Sequence, residues 1–429
     1  MSPILRSQVR GAQRNPVSTT TAGSILNILF ITFGLPVPPD SGARLRDFNL
    51  IKRVGKHHRV FVLSLLEFED ELQHAESLKD YCDQVDGVVA NRGSLATIAA
   101  VISGLIHQRP VATVPFYYPE LATKIARLTK QQSFDVVQFE HSFLAPYRSA
   151  LAPTFEGATV LSMHNIGVQQ YRSMLDMSSG ARWIPAALKW LMMRGWEAFA
   201  ANKFHEVIAV SDCDRERLLE LGVNTKISVI ENGVDCTALQ PLPPTTSGTE
   251  ELIFIGTMGY LPNRDAARYL VKEILPLIRS SRPGCQLNLV GSGGSEHLAD
   301  LAEPGVVNVT GRVENPLPYY ARSQVAVVPL RSGGGSRLKI LEAMALGRPV
   351  VSTTLGQEGL SLKNGLEILI ADDPQTFANQ VIQLLENDSD RQMYAEAGRD
   401  RVVKDYDWDQ LADQLLHLYE NLVPSRAQP

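Results

Sequence analysis

The segment VVPLRSGGGSRLKILEAMALGRPVVS, residues 327–352, decides the fold. An apolar run ends at Pro329, three glycines follow at Gly333, Gly334 and Gly335, and a helical pattern starts at Ser336 and Arg337. A strand, a glycine turn and a helix in this order form one βα step of a doubly wound sheet. The glycines leave backbone N–H groups uncovered and permit positive φ, and a helix N-terminus behind them adds a positive dipole end. With the charges of Arg337 and Lys339, this makes a cradle for phosphate. Lys339 precedes Glu342 by three residues, on roughly one helix face, where the carboxylate can accept from two vicinal hydroxyls such as those of a ribose. The plain alternative is a flexible turn into an amphipathic helix with Lys339 and Glu342 as a solvated pair.

The same rhythm extends in both directions. Apolar runs read as strands at 26–32, 58–66, 85–90, 135–139, 158–163, 206–211 and 227–231, and again at 252–256, 286–291, 306–311, 324–330, 349–353 and 367–371. Helical patterns lie between them, at 41–56, near 94–107 and 119–131, at 180–203, 212–221 and 263–279, near 315–322, at 336–347, and at 374–386, 388–403 and 407–421. Strands apolar throughout and separated by helices argue a parallel sheet covered on both faces. The stretch 236–251, CTALQPLPPTTSGTEE, interrupts the rhythm and reads as a linker. The expected organisation is a disordered tail at 1–24, a Rossmann-like domain at 25–235, a linker at 236–250, a second Rossmann-like domain at 251–405, and a helix at 406–421 returning toward the first domain. Ligands of such sheets bind outside the carboxyl ends of the strands.

Composition narrows the function. The 429 residues are 44% hydrophobic and 20% charged, with a net charge of −5, which argues against a nucleic-acid binder held by bulk basic charge. Residues 1–244 carry 24 Lys and Arg against 23 Asp and Glu, whereas 245–429 carry 17 against 23, so the acid is concentrated in the C-terminal half. Four scattered cysteines, Cys82, Cys213, Cys236 and Cys285, show no metal-ligand spacing and suit a reducing compartment. No apolar run approaches the roughly 18–20 residues that span a bilayer, and residues 1–24 lack the apolar core of a signal peptide. A cytoplasmic protein is expected. The stretch 182–204 mixes Arg182, Lys189, Arg194 and Lys203 with Trp183, Trp190 and Trp196. Its apolar residues fall on several sides, which favours core packing; contact with the inner face of a membrane is the other reading.

Further candidates sit after strands. In PVPPDSGARLRDFNL (36–50), Gly42 lets backbone approach a ligand, Asp40 and Ser41 are candidate helix caps, and Arg44 and Arg46 are placed to meet an anion. FDVVQFEHSF (134–143) puts Glu140 and His141 past one strand, and LSMHNIG (161–167) puts His164 and Asn165 past the next. Asn263 reads as a helix N-cap, a ligand contact, or both. Asp372 and Asp373 end a strand without a metal-site context, and no metal is expected.

These segments together resemble the family of retaining, nucleotide-sugar-dependent glycosyltransferases of group 1, family four, over about residues 26–421. The resemblance rests on ENGVD (231–235), LIFIGTMGYLPNRDA (252–266), LNLVGSGG (287–294), VTGRV (309–313) and KILEAMALGRPVV (339–351). It implies the GT-B fold, two Rossmann-like doubly wound domains facing a central cleft. It also implies a hexosyltransferase using a UDP- or GDP-sugar as donor substrate, with no required cofactor, and a glycan or lipid-linked acceptor in exopolysaccharide or cell-envelope synthesis. On it, Gly333, Gly334, Gly335, Ser336, Arg337 and Lys339 hold the diphosphate, Glu342 the ribose, Arg312 and Val313 the nucleobase, and Asn263 the donor. Glu140, His164 and Lys339 are the catalytic candidates, and Gly42, Arg46, His141 and Asn165 line the acceptor side. The chain departs from the family where two glutamates usually stand seven residues apart: the second is Glu342, but the first position is Gly334. This resembles a branch whose glycine-rich loop continues S/T-R-x-K-x-x-E, in which backbone amides meet the donor. The departure leaves open a nucleotide-sugar epimerase or a catalytically silent nucleotide-sugar binding protein of the same fold.

Overall fold

The computed structural model describes residues 24–90, 116–168, 183–245, 248–333 and 337–423. The tail expected at the N-terminus and the helix expected near 94–107 lie outside them. The chain divides into two compact units: Asn232–Leu411, and 24–231 with 412–423.

In the N-terminal unit, seven strands pair in parallel: β1 (Asn27–Phe33), β2 (Arg59–Leu66), β3 (Gln84–Val89), β4 (Val136–Glu140), β5 (Ala158–Met163), β6 (Glu206–Ala209) and β7 (Ile227–Val229). Their order is β3-β2-β1-β4-β5-β6-β7. In the C-terminal unit, six strands follow the same plan: β8 (Glu251–Ile255), β9 (Gln286–Val290), β10 (Val307–Gly311), β11 (Val325–Val328), β12 (Val350–Ser352) and β13 (Leu369–Ile370), ordered β10-β9-β8-β11-β12-β13. Each sheet reverses its winding once, between β1 and β4 and between β8 and β11. The crevice at such a switch point, at the carboxyl ends of the strands, is where a ligand fits. Strands β4, β5, β6, β11 and β12 are buried at every position, the signature of a sheet covered on both faces. The two doubly wound units are those the GT-B fold requires.

Every strand read from the apolar runs is present, within a few residues. The helix behind the glycine loop is Leu338–Ala345, two residues later than the pattern predicts, and Arg337 is its cap with non-helical φ and ψ. The 3₁₀ segments Glu69–Leu78 and Ser142–Ala150 have no counterpart in the sequence reading, because their apolar spacing is irregular.

The chain enters the C-terminal unit at Glu231–Asn232 and leaves it at Leu411–Ala412. The first part of the proline-rich stretch is bound to that unit. The Arg399 guanidinium donates to the carbonyls of Cys236, Leu239 and Ala345 at 3.0, 2.6 and 2.6 Å, and Cys236 N donates to Asp407 Oδ2 at 2.9 Å. Replacing Arg399 by Met strips three carbonyls of a charged donor. Chemical denaturation is expected to show a loss of about 2 kcal/mol in the transition of this unit.

Candidate functional site

The switch point of the N-terminal sheet carries a buried charge cluster. Gly42 begins the helix Gly42–Val54, capped by Ser41, whose Oγ accepts from Arg44 N at 3.3 Å. One turn on, Arg46 and Asp47 are both buried. Glu140 ends β4 fully buried, and His164 follows β5, also buried. His164 Nε2 lies 2.7 Å from Glu140 Oε2 and 3.2 Å from Asp47 Oδ1. Gln138 Nε2 donates to Glu140 Oε1 at 2.6 Å, and Tyr419 Oη donates to Gln138 Oε1 at 2.7 Å. The Arg46 guanidinium donates to the carbonyls of Glu231 and Ile230 at 2.7 and 2.8 Å. Arg46 thus ties the helix to the backbone at 230–231, and its charge also acts on Glu140 and Asp47.

The charges sustain one another. Burial favours a neutral imidazole, but the charges and hydrogen bonds of Asp47 and Glu140 outweigh it and push His164 up to about 9. Burial raises Asp47 to about 6, opposed by His164. Burial also acts to raise Glu140, yet its hydrogen bond to His164, with the charges of His164 and Arg46, holds it below the usual range. His164 is thus an imidazolium at neutral pH, and two cations balance two carboxylates. His164 Nδ1 has no partner among the described residues.

His141 sits beside the cluster in the left-handed region, at φ 85°, with its N–H donating to Ser162 O at 2.8 Å. That backbone is costly for a β-carbon and re-aims the ring. The ring centroid lies 3.9 Å from that of His164, and the ring stacks on Phe143 at 4.9 Å. Burial and the charges of His164 and Arg46 hold His141 well below the usual histidine range, so it stays neutral. Phe143 stacks on Phe116, and Phe33, at the end of β1, meets both edge-on. Asn165 is exposed.

Asp47, Glu140 and His164 place ligand atoms within 4.8 Å of one another, a spacing that a metal could use. To bind one, His164 would have to give up the proton that balances the two carboxylates, and Arg46 already supplies positive charge there. The donor set fits a self-neutralised ion cluster better than a metal site.

At the switch point of the C-terminal sheet, Lys339 Nζ donates to Asn263 Oδ1 at 2.7 Å, and Asn263 Nδ2 donates to Thr257 O at 2.9 Å. Asn263 is not the cap: the helix Leu261–Tyr269 starts two residues before it, after Tyr260. Asn263 is buried inside the first turn and tethers the Lys339 ammonium to the loop after β8. The ammonium also lies 4.6 Å from the Phe254 ring centroid. A Cβ at Gly256 would stand 2.8 Å from Asn263 Nδ2 and 3.0 Å from Lys339 Nζ, so only glycine leaves this arrangement in place. Burial, with the charge of Arg337, lowers Lys339 to about 7, and burial raises Glu342 to about 7 against the pull of Lys339. Arg337 is buried, donates to Gly333 O at 3.0 Å, and keeps an Nε without a partner among the described residues. Gly333 takes φ 92° against Pro262. Gly334, Gly335 and Ser336 lie outside the described residues.

The remaining candidates divide. Arg312 is exposed after β10, and Val313 packs against the core. The glycines of LVGSGG serve close backbone approach: a Cβ at Gly291 would meet Gly256 O at 1.9 Å, and Met258 N donates to Ser292 O at 2.7 Å. Asp372 accepts from the backbone and hydroxyl of Thr354, and Asp373 caps the helix Pro374–Glu386. Asp47, Thr257 and Phe254 escape the sequence reading. The one sequence signal for Asp47 is its place one turn behind the first glycine loop.

Two family models match the chain: glycosyltransferase family 4 over residues 48–238, and glycosyl transferases group 1 over residues 249–387. The phosphatidyl-myo-inositol mannosyltransferase of Mycobacterium leprae (strain TN) is 27% identical over 319 residues, 72% of this chain and 79% of that one. A glycogen synthase of Mycobacterium tuberculosis is 26% identical over 311 residues, 69% of this chain and 70% of that one. Among solved structures, Anabaena Alr3699/HepE in complex with UDP and glucose superposes with a TM-score of 0.65 at 15% identity, covering 92% of this chain and 100% of that one. Sucrose-phosphate synthase from Thermosynechococcus elongatus gives a TM-score of 0.65 at 17% identity, covering 92% and 98%. The chain has the GT-B fold and is related to the group 1 and family 4 glycosyltransferases.

The His164 cluster has a pH signature. Its folded value, about 9, stands above the ordinary 6.5, so its contribution to stability is complete below about pH 6.5 and is lost as pH rises through about 9. The thermal midpoint of the wild-type chain should fall over that window, and the His164→Gln variant should lack that slope. His164→Ala, which leaves two buried carboxylates facing each other, is expected to cost about 3–5 kcal/mol in chemical denaturation.

Proposed function

We propose that this relative of the group 1 and family 4 glycosyltransferases is a retaining enzyme. It moves a hexosyl group from a nucleoside-diphosphate sugar, a UDP- or GDP-sugar, to a glycan or lipid-linked acceptor in polysaccharide or envelope-glycan synthesis. The observation that carries the reading is Lys339. Its ammonium is enclosed, tethered by the neutral Asn263 rather than by a carboxylate, and placed behind Gly333 at a sheet switch point. A cation held this way is matched to an incoming anion. The names of the relatives agree with it: the mannosyltransferase and the glycogen synthase both transfer sugars.

In this reading the bond between the anomeric carbon and the diphosphate oxygen breaks, and charge builds on the leaving phosphate. Arg337 and Lys339 meet that charge, with backbone amides of the loop Gly333–Ser336 contributing. Glu342 accepts from the ribose hydroxyls. The acceptor hydroxyl attacks the anomeric carbon from the face the diphosphate leaves, and its proton passes to the departing phosphate oxygen, so configuration is retained. On the acceptor side, His164, whose buried Nδ1 has no partner among the described residues, is the catalytic candidate. Glu140, fully buried, acts through His164 as a positioning residue, and Asp47 shares that task.

Titration calorimetry with UDP, GDP and ADP tests the donor site. One of the three should bind, and Lys339→Ala or Glu342→Ala should weaken it at least about tenfold, the equivalent of ~1.4 kcal/mol. Because Lys339 is lowered to about 7, an arriving diphosphate restores its charge. Binding at about pH 8 should therefore take up protons, seen as an enthalpy that changes with buffer ionisation heat. Unchanged affinity in both variants overturns the site. Binding without turnover or hydrolysis of any nucleotide sugar favours a silent binding protein.

A further inference from the structure

The helix Trp183–Ala201 is apolar on both sides. Its inner side packs on the N-terminal core through Met193, Trp196 and Ala200, and Ala198 and Ala201 are buried on the flank. The acid of this helix, Glu197, also turns inward, accepting from Gly167 N and Val168 N at 2.7 and 3.0 Å. On its outer side, Trp183, Ile184, Leu188, Leu191 and Phe199 are 52%, 67%, 57%, 60% and 54% exposed. At about 100° per residue, Ile184, Leu188, Leu191, Gly195 and Phe199 fall within an arc of about 80°, one stripe along most of the helix. The other exposed large apolar side chains among the described residues are scattered over the chain. The core-packing reading of 182–204 therefore holds for one side of this helix only. Apolar periodicity shows which residues share a face, but not what that face meets. A continuous exposed apolar patch of this kind marks an interaction surface.

The exposed charge described on this helix and just past its end is basic. Arg194 is exposed on its flank, and Lys203, just past the helix end, holds its Nζ 3.9 Å over the Phe199 ring. With Glu197 buried, the helix offers no exposed acid. A second copy docking stripe to stripe would bring like charges together with no acid on the helix to answer them. An anionic lipid surface answers both features: its headgroups pair with the bases, and its acyl boundary takes the apolar side chains. No helix among the described residues is long and apolar enough to cross a membrane, so the contact is one of lying on the surface.

We propose that the Trp183–Ala201 stripe docks this protein on anionic membrane surface, with Ile184, Leu188, Leu191 and Phe199 inserted and Arg194 and Lys203 at the headgroups. This deepens the reading of a lipid-linked acceptor, but membrane binding is tested apart from transfer. The full chain is floated with vesicles of phosphatidylcholine alone and of phosphatidylcholine with phosphatidylglycerol, at low salt and at about 0.5 M salt. Its mass is measured in parallel by light scattering. The wild type should float with the phosphatidylglycerol vesicles and lose at least about tenfold in bound fraction without that lipid or at high salt. The double substitution Leu188→Glu with Leu191→Glu should abolish flotation while leaving the thermal midpoint nearly unchanged, because both sites are exposed. Arg194→Glu with Lys203→Glu is the second variant and should remove the dependence on anionic lipid. Nucleotide binding in the same samples should be unaffected, so failure of docking and failure of the donor site are told apart. The proposal is overturned if the wild type floats with neither vesicle, if the Leu188/Leu191 variant floats as well as wild type, or if light scattering shows a dimer that this variant dissociates.

Discussion

The His164 imidazolium, held between the carboxylates of Asp47 and Glu140, is the constraint around which the N-terminal unit is arranged. Four charged side chains are taken out of water there, with Arg46 as the second cation. Burying them is tolerable only if they cancel; their hydrogen bonds are met in part, His164 Nδ1 having no partner among the described residues. That requirement ties together elements remote in sequence: the helix Gly42–Val54 supplies Arg46 and Asp47, β4 supplies Glu140, the turn after β5 supplies His164, and the backbone at 230–231 receives Arg46. The network continues through Gln138 to Tyr419 on the helix Trp408–Leu422, so the last helix is hydrogen-bonded to the same strand. The left-handed backbone of His141 accompanies this arrangement, in which a neutral imidazole lies tilted at 3.9 Å from a charged one.

The C-terminal unit repeats the topology with the opposite electrostatic economy. At its switch point the half-buried Lys339 has no carboxylate within ion-pair distance among the described residues. Lys339 is held by an amide oxygen and an aromatic face, with Arg337 near enough to depress it further. A self-balanced cluster ties a strand end to its neighbours, whereas on the proposed reading an incompletely answered cation is matched to an anion that arrives from outside. The glycines nearby serve this arrangement. Gly256 leaves room for the Asn263–Lys339 pair, and Gly291 lets the loops after β8 and β9 touch through backbone. Much of the acid in this half lies in ion pairs and helix caps such as Asp300 and Asp373, although Glu358 stands 3.8 Å from Arg337 and Glu342 acts on Lys339. On the proposed reading, local geometry rather than bulk charge receives the diphosphate.

Much of this was legible in the residues themselves. Uniformly apolar runs separated by helical spacing predict parallel strands with both faces covered, and each such run within the described residues is a strand. The glycine turn with Arg337, Lys339 and Glu342 marks one switch point, and Glu140 and His164 mark the other, because strand ends and turn residues leave local signatures. Asp47 left almost none, since its partners stand on β4 and after β5, far along the chain. Of the two readings of Asn263, cap and ligand contact, the cap fails for a related reason. Capping preference is a local rule, and the helix starts earlier, at Leu261, so that Asn263 answers Lys339 instead. Local propensity and hydrophobic period therefore determined the elements and their class. Which charges share a buried site, which lysine is answered by an amide oxygen, and which side of the helix Trp183–Ala201 faces outward were decided only by the tertiary structure. Burial and charge pairing depend on neighbours that the linear order does not place together.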